Sequence, residues 1–433
     1  MTNFEKPYKN YDELVKILKN RNLDISNTSE AKNLLQLYGF HPLINGYGKS
    51  FITKNGGEFQ ANASLDDIYS LYLIDSEMQE LFLTSVLKVE RHLANIIGYV
   101  VAEHFGIDSD KEYVDRILKK IDEYKKKRKT YRINSLPSQK SYLYYKNYSS
   151  DYDVTKTIHK IINRIVYSQN NPIAYYREKH DHIPPWILVQ DLSFGQIVKY
   201  YQIQQSKLKT EIVNEMITSV EEEKNHINQK KELFFNTIQI LSRFRNAAAH
   251  TSPLHLFKAK EHIENYNAPN EDTFKWYLGK DIFESISNDS LKTGGLYVAL
   301  LSLLLLNRDS FQRRLLISKL QSLEQIWKEE PFSEDYKAYK ETAGLPDDYV
   351  ERLKSAHEQL ENNEMSAQHP INTFSILKTV FVHTSNTFHL YRNCQYIKEK
   401  EIKEIKELSF LEAIQKKYSL CKKCLAKRKA ISK

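Results

Sequence analysis

Cysteine is nearly absent. The chain has three in 433 residues, and all lie in its last forty: Cys394, Cys421 and Cys424. A disulfide-stapled scaffold is therefore excluded. Glycine (12) and proline (11) are also scarce. That leaves few turns, argues against a many-stranded sandwich, and favours a mainly α-helical protein. No apolar run approaches the roughly 18 residues that span a bilayer. The longest, Leu296–Leu306, contains Tyr297 and Ser302 and ends in Asn-Arg-Asp. It is expected to be a buried core helix, with no membrane association. The opening Met-Thr-Asn-Phe-Glu-Lys lacks a basic-plus-apolar leader, so a cytoplasmic location is expected.

What is present is charge and tyrosine. The formal net charge is +8, 27% of residues are charged, 41% are hydrophobic, and there are 29 tyrosines. The length predicts two to four domains. A positive balance suits an anionic partner. Tyrosine can stack on unpaired bases, although an AT-rich genome would enrich it equally.

Helical periodicity recurs along the chain. Asn10-Tyr-Asp-Glu13 resembles a capping box, and Ser29–Tyr38 reads as a second helix, broken by Gly39–Tyr47. Leu65–Glu103 is a long helix with Leu81, Val86, Val89 and Leu93 buried. Glu90 and Arg91 interrupt its apolar second half, as a solvated stripe or as an ion pair supporting a site. Leu291–Leu306, Ser310–Trp327 and Pro346–Glu361 are further helices, and Asn362–Pro370 has linker composition. The resulting division is an N-terminal helical region (1–64), a helical domain (65–260) with a basic, Tyr-rich insertion (119–151), a helical region (261–368) and a small C-terminal α/β module (369–433).

Three stretches carry candidate chemistry. The first is Leu241-Ser-Arg-Phe-Arg-Asn-Ala-Ala-Ala-His250, the end of an amphipathic helix that runs in from Leu233. Pro253 disfavours helical geometry at Ser252, so His250 belongs to the last turn. Asn246 and His250 are four apart and share a face. Arg245, five from His250, diverges from it by more than a third of a turn. The two would meet on one phosphate only if the helix end distorts or a second chain completes the site. Arg243 is an alternative phosphate ligand, though its apolar neighbours favour a structural role.

The second is the insertion. Lys125, Lys126, Lys127, Arg128, Lys129 and Arg132 lead to Tyr142, Tyr144 and Tyr145, with no acidic residue between Lys125 and Lys146. Such a stretch suits phosphate contacts and base stacking; a solvated insertion is the plainer alternative. The third is the tail. Cys421-x-x-Cys424 and His389-x4-Cys394 offer a Cys3His set for one tetrahedral zinc, structural if all four positions are filled by protein. Val380-Phe-Val-His383 is β-like, with His383 the alternative fourth ligand, and Ser409–Tyr418 reads as a helix. His180-Asp-His182 lies in a loop and reads as structural.

Arg245-Asn246-x-x-x-His250 resembles the R-x4-H signature of HEPN ribonucleases. The order of landmarks before it resembles the Abi family of bacterial abortive-infection proteins, of the AbiD/AbiF type. These landmarks are the turn Leu43-Ile-Asn-Gly46-Tyr47, the helix Leu71-Tyr-Leu-Ile-Asp75-Ser-Glu-Met-Gln79, and Pro184-Pro185-Trp186 running on to Ser193-Phe194-Gly195. Asn45 replaces the usual Ser, Gln79 stands where a basic residue is common, and the spacer before Trp186 is missing. The tail resembles small zinc-ribbon-like modules of nucleases and DNA-repair proteins.

The resemblance implies a HEPN-type helical domain and a homodimer that cleaves RNA without a catalytic metal, leaving a 2′,3′-cyclic phosphate. Arg245, Asn246 and His250 would be catalytic, and zinc would be structural only. It further implies an anti-phage role and a small structured noncoding RNA that binds and restrains the nuclease. A non-enzymatic RNA-binding protein and a sensor of a phage protein are the alternatives.

Overall fold

A computed structural model describes residues 7–53, 56–223, 225–284, 288–367, 379–383, 387–392, 394–397, 405–409, 413, 416 and 418–424. The chain is mostly helical, with a small sheet near its C-terminus. It divides into two units. The first comprises residues 1–308 and 314–368, the second 309–313 and 369–433.

The first unit is built on the helix Leu65–Phe105, which starts at a reciprocal cap between Ser64 and Asp67. Its buried residues Leu71, Ile74, Met78, Phe82, Val86, Val89, Leu93, Ile97 and Val101 recur at steps of three and four. They form the stripe against which the other helices pack. The helix Ile227–Ala249 lies against it, with Phe82 and Phe244 in ring contact at 5.6 Å. Leu296–Leu306 packs on both, and every residue of it is buried. Each of its leucines contributes about 1.5–3 kcal/mol by leaving water. Its two polar side chains are satisfied: Tyr297 donates to the Ile282 carbonyl (2.8 Å) and Ser302 to that of Val298 (2.7 Å).

The sequence segments 1–64, 65–260 and 261–368 share this one apolar core. The capping box at Asn10 and Glu13 forms as expected. Two boundaries differ from expectation. Leu291–Leu306 is interrupted by Gly294, which has φ +64°, so separate helices Asn288–Thr293 and Leu296–Leu306 result. The linker-like Asn362–Ser366 continues the helix Tyr349–Ser366, where Asn363 donates to the Tyr277 carbonyl and Leu360 and Glu364 are buried. Tertiary packing there overrides a weak local preference. Gln368–Pro370 lie outside the described residues, as does most of the helix expected at Ser409–Tyr418.

Close approach explains one glycine. A Cβ at Gly98 of the long helix would lie 2.9 Å from the Trp186 Cα. Its absence lets the short helix Pro185–Leu188 sit directly on the long helix.

The two landmark segments around Tyr47 and Asp75 meet in the core. Asp75 is fully buried and accepts five hydrogen bonds. Oδ2 takes the Tyr47 hydroxyl (2.9 Å), the Gln79 amide (2.8 Å) and the Leu254 N–H (2.9 Å). Oδ1 takes the His255 N–H (3.2 Å) and the Tyr339 hydroxyl (2.8 Å). The His255 ring, also fully buried, stacks on Tyr47 and places Nδ1 3.6 Å from Oδ1, beyond hydrogen-bond reach. Gln79 reaches on to the Ser252 carbonyl (3.1 Å). Burial pushes the Asp75 pKa up, but the His255 imidazole and the Leu254 and Tyr339 donors outweigh it and hold the carboxyl below its ordinary value.

In the second unit the strands β1 (Thr379–Val382), β2 (Thr387–His389), β3 (Lys406–Ser409) and β4 (Ser419–Leu420) form a sheet in the order β3-β1-β2-β4. β1 is antiparallel to β2 and β3, and β4 runs parallel to β2. Val380, Val382, Phe388 and Ala413 make its small core.

Replacing Asp75 with Ala strands four buried donors, since Gln79 keeps the Ser252 carbonyl, so D75A should cost about 3–5 kcal/mol of unfolding free energy in a urea titration. The pH dependence follows from the depressed carboxyl. Its contribution is complete above the unfolded value of about 4 and disappears as pH falls through the lower folded value. The stability gap between wild type and Asp75→Asn should therefore narrow on acidification below about pH 4.

Candidate functional site

The helix Ile227–Ala249 delivers the motif, and its end is built by the backbone. His250 is the C-cap residue. Thr251 follows with φ +53°, its N–H bonding the Ala248 carbonyl (3.4 Å), and Ser252 bonds that of Ala247 (2.9 Å). This pair of bonds is a Schellman closure, which glycine usually makes at the left-handed position. Here a β-branched residue occupies it, a strained conformation. Ser252, Leu254 and His255 are then fastened to Gln79 and Asp75. The core thus fixes where the helix stops, and His250 is left exposed at its tip.

Arg245 is partly buried. Its Nε donates to Glu90 Oε2 of the long helix (3.3 Å), and its Nη1 lies 3.5 Å from Asn246 Oδ1. Glu90 also accepts the Phe194 N–H. Desolvation raises the Glu90 pKa despite the lowering pull of Arg245 and that N–H. The Glu90 interruption of the apolar stripe is therefore an ion pair supporting the motif arginine. It also links the Ser193-Phe194-Gly195 landmark to the motif.

Arg243 departs from expectation. It is exposed rather than packed among its apolar neighbours, and with Asn246 it lines a groove of about 540 Å³. The seven-residue step from Arg243 to His250 is the signal that puts both on one helix face. The flanking Phe244 and Leu241 point to the opposite, buried side.

The basic stretch divides. Lys125, Lys126, Lys127, Arg128, Lys129 and Arg132 are all exposed, where the helix Lys111–Lys126 ends and the following segment begins. Tyr145 is exposed under Lys146, whose ammonium lies 5.9 Å from the ring centre, and Tyr144 is half-buried. Tyr142 corrects the sequence reading. It is fully buried, donates to the Ile183 carbonyl (2.9 Å), and has no ring face to offer a base. His180 and His182 sit in a loop, where His182 pairs with Asp181.

In the C-terminal unit His389, Cys394, Cys421 and Cys424 are all buried, with ligand atoms within 4.8 Å of one another. His389 ends β2, and Cys421 follows β4, its N–H bonded to the Phe388 carbonyl (3.0 Å). Sγ of Cys394 and Cys421 are 3.9 Å apart, close to the roughly 3.8 Å edge of a tetrahedron with 2.3 Å metal–sulfur bonds and far from a disulfide. Burial raises the Cys421 thiol, but the Cys424 and Lys423 N–H groups overcome that and lower its pKa. Cys424 is pushed up to about 11, chiefly by burial. Burial and the nearby His383 lower the His389 pKa, and its Nδ1 has no hydrogen-bond partner. Three thiols and one orphaned imidazole nitrogen make a set that could hold a metal ion. His383 is not among the four.

No described helix is long and apolar enough to cross a membrane. Relieving the left-handed strain should be measurable: Thr251→Gly should raise the unfolding free energy by about 1 kcal/mol in chemical denaturation.

No curated protein and no solved structure matches the chain. The family described as Abi-like protein matches residues 33–255, just over half of the chain. That span contains Tyr47, Asp75, Gln79, Glu90 and the motif helix, and ends at the buried His255. The chain belongs to the Abi-like protein family.

Proposed function

We propose that this protein is an anti-phage endoribonuclease of the HEPN type, acting without a catalytic metal. The observation that carries the reading is an exposed His250 five residues after an Arg245 held in place by Glu90, at a helix end anchored to the core. In the reaction a ribose 2′-oxygen attacks the adjacent phosphorus and the bond to the 5′-oxygen breaks. The products are a 2′,3′-cyclic phosphate and a 5′-hydroxyl. His250 takes the proton from the 2′-hydroxyl or supplies one to the leaving 5′-oxygen, worth about 10²–10⁴ in rate. Arg245 stabilises the charge that grows on the phosphate oxygens, worth on the order of 10²–10³. Asn246 orients the guanidinium or bonds the phosphate.

Arg245 and His250 point roughly 140° apart around a regular helix. A two-fold homodimer would bring the Arg245 of one copy to the His250 of the other and supply both an acid and a base. The substrate must be RNA, because the attacking group is absent from DNA. The exposed basic run Lys125–Lys129 and Arg132, with Tyr144 and Tyr145, suits the phosphates of a small structured noncoding RNA that restrains the enzyme. The Cys3His set suits a structural zinc, held by His389, Cys394, Cys421 and Cys424.

His250→Ala should lower RNA cleavage by about 10²–10⁴, with cyclic-phosphate ends in the wild-type products. Undiminished cleavage by H250A would overturn the proposal. Glu90→Gln should slow cleavage less than Arg245→Ala, because the guanidinium remains but loses its charged anchor. Metal analysis of the full chain should find one zinc per chain, lost in Cys421→Ser. Stripping that zinc should leave the chemistry of cleavage unchanged.

A further inference from the structure

The face of the motif helix that ends at His250 carries a row of polar residues. Asn236, Gln239, Arg243, Asn246 and His250 recur at alternating steps of three and four, so they lie along one stripe. The first four line the 540 Å³ groove, whose other wall is the helix Phe194–Gln202, contributing Lys199. Arg243 has no hydrogen-bond or ion-pair partner among the described residues. Lys199, bonded to Gln202 (2.8 Å), feels the charges of Arg243 and of Lys160 and Lys156 on the helix Val154–Tyr167. Two acids also face the groove. Glu232 is engaged by the Asn267 amide (2.6 Å), and Glu264 acts on Lys199 against the neighbouring cations. The lining itself holds two cations and two acids; Lys156 and Lys160, outside the lining but felt by Lys199, make the neighbourhood cationic.

Asn236 supplies the second observation. It is 96% buried, the complement of a 4% exposure, and lines the groove. Its amide nitrogen is buried with no hydrogen-bond partner. A donor so placed normally has an acceptor, and leaving it without one costs about 1–3 kcal/mol.

We propose that this groove is the substrate-strand subsite of the proposed ribonuclease: it holds the single-stranded nucleotides flanking the cleaved bond, with Arg243 and Lys199 on their phosphates and Asn236 donating to a base or sugar oxygen. The proposal rests on the ribonuclease reading for its location beside the chemistry. It differs from that reading in using Arg243 and the helix face rather than Arg245. Phosphate contacts give affinity, and the inward row of amides gives base preference.

The test uses full-length His250→Ala protein and a fully 2′-O-methylated single-stranded RNA of mixed sequence, with affinity measured across a salt series. Arg243→Gln and Lys199→Gln should each weaken binding about ten-fold and reduce the slope of log affinity against log salt by about 0.7 for each phosphate no longer neutralised. Asn236→Asp, which puts an acceptor in place of the donor with little change of shape, should weaken binding and alter base preference. In the wild-type background the same changes should raise KM and shift the cleavage positions.

Unchanged affinity and salt slope in an Arg243→Gln/Lys199→Gln double variant would overturn the proposal. So would a loss of homodimer mass in that variant with RNA affinity retained, which would make the groove an interface between copies. If wild type fails to cleave RNA yet the variants lose binding, the ribonuclease reading falls and the strand-binding groove stands. If wild type cleaves and the variants bind and cleave alike, the groove falls alone.

Discussion

A single buried carboxylate holds the motif end of the fold together. Asp75 draws donors from four separated parts of the chain: the turn at Tyr47, its own helix at Gln79, the segment Leu254–His255, and Tyr339. A charge with no access to water is tolerable only when its oxygens are fully bonded. The cost of burying Asp75 is thereby spread over elements that would otherwise have no reason to meet. Their meeting decides that the motif helix stops at Ala249, because Ser252 through His255 are committed elsewhere.

The strained Thr251 makes sense in that light. A left-handed residue at the end of the helix turns the chain into the Asp75 site, and glycine would do so at less cost. The strain is sustained by the hydrogen bonds on either side of it, and it leaves His250 at an exposed tip. A second anchor, Glu90, holds Arg245 from the same long helix. The two ends of the motif are thus referenced to one rigid element, at Asp75 and, about four turns further along it, at Glu90.

Much of this was legible. Periodicity located the long helix, the motif helix and the buried Leu296–Leu306 run, because a 3.6-residue stripe is a local property. The four residues of the His/Cys3 cluster were readable from spacing, since a C-x-x-C pair constrains its own geometry. The landmarks at Tyr47 and Asp75 were visible as a pattern with no stated purpose. The pattern fell short where burial depends on distant partners. Tyr142 looked like a stacking residue among lysines, but the Ile183 carbonyl draws its hydroxyl into the core. Arg243 looked structural among apolar neighbours, yet those neighbours face the opposite side of the helix.

Residue type and distance along the chain were enough for the helical class, the Arg245-Asn246-x-x-x-His250 spacing and the Cys3His cluster. Helix packing was needed to tie Arg245 to Glu90, to close the helix end on Asp75, and to put Asn236 at a groove with its amide nitrogen buried and unpartnered. Those are contacts between residues far apart in sequence. Their existence depends on how the helices pack, which no local pattern encodes.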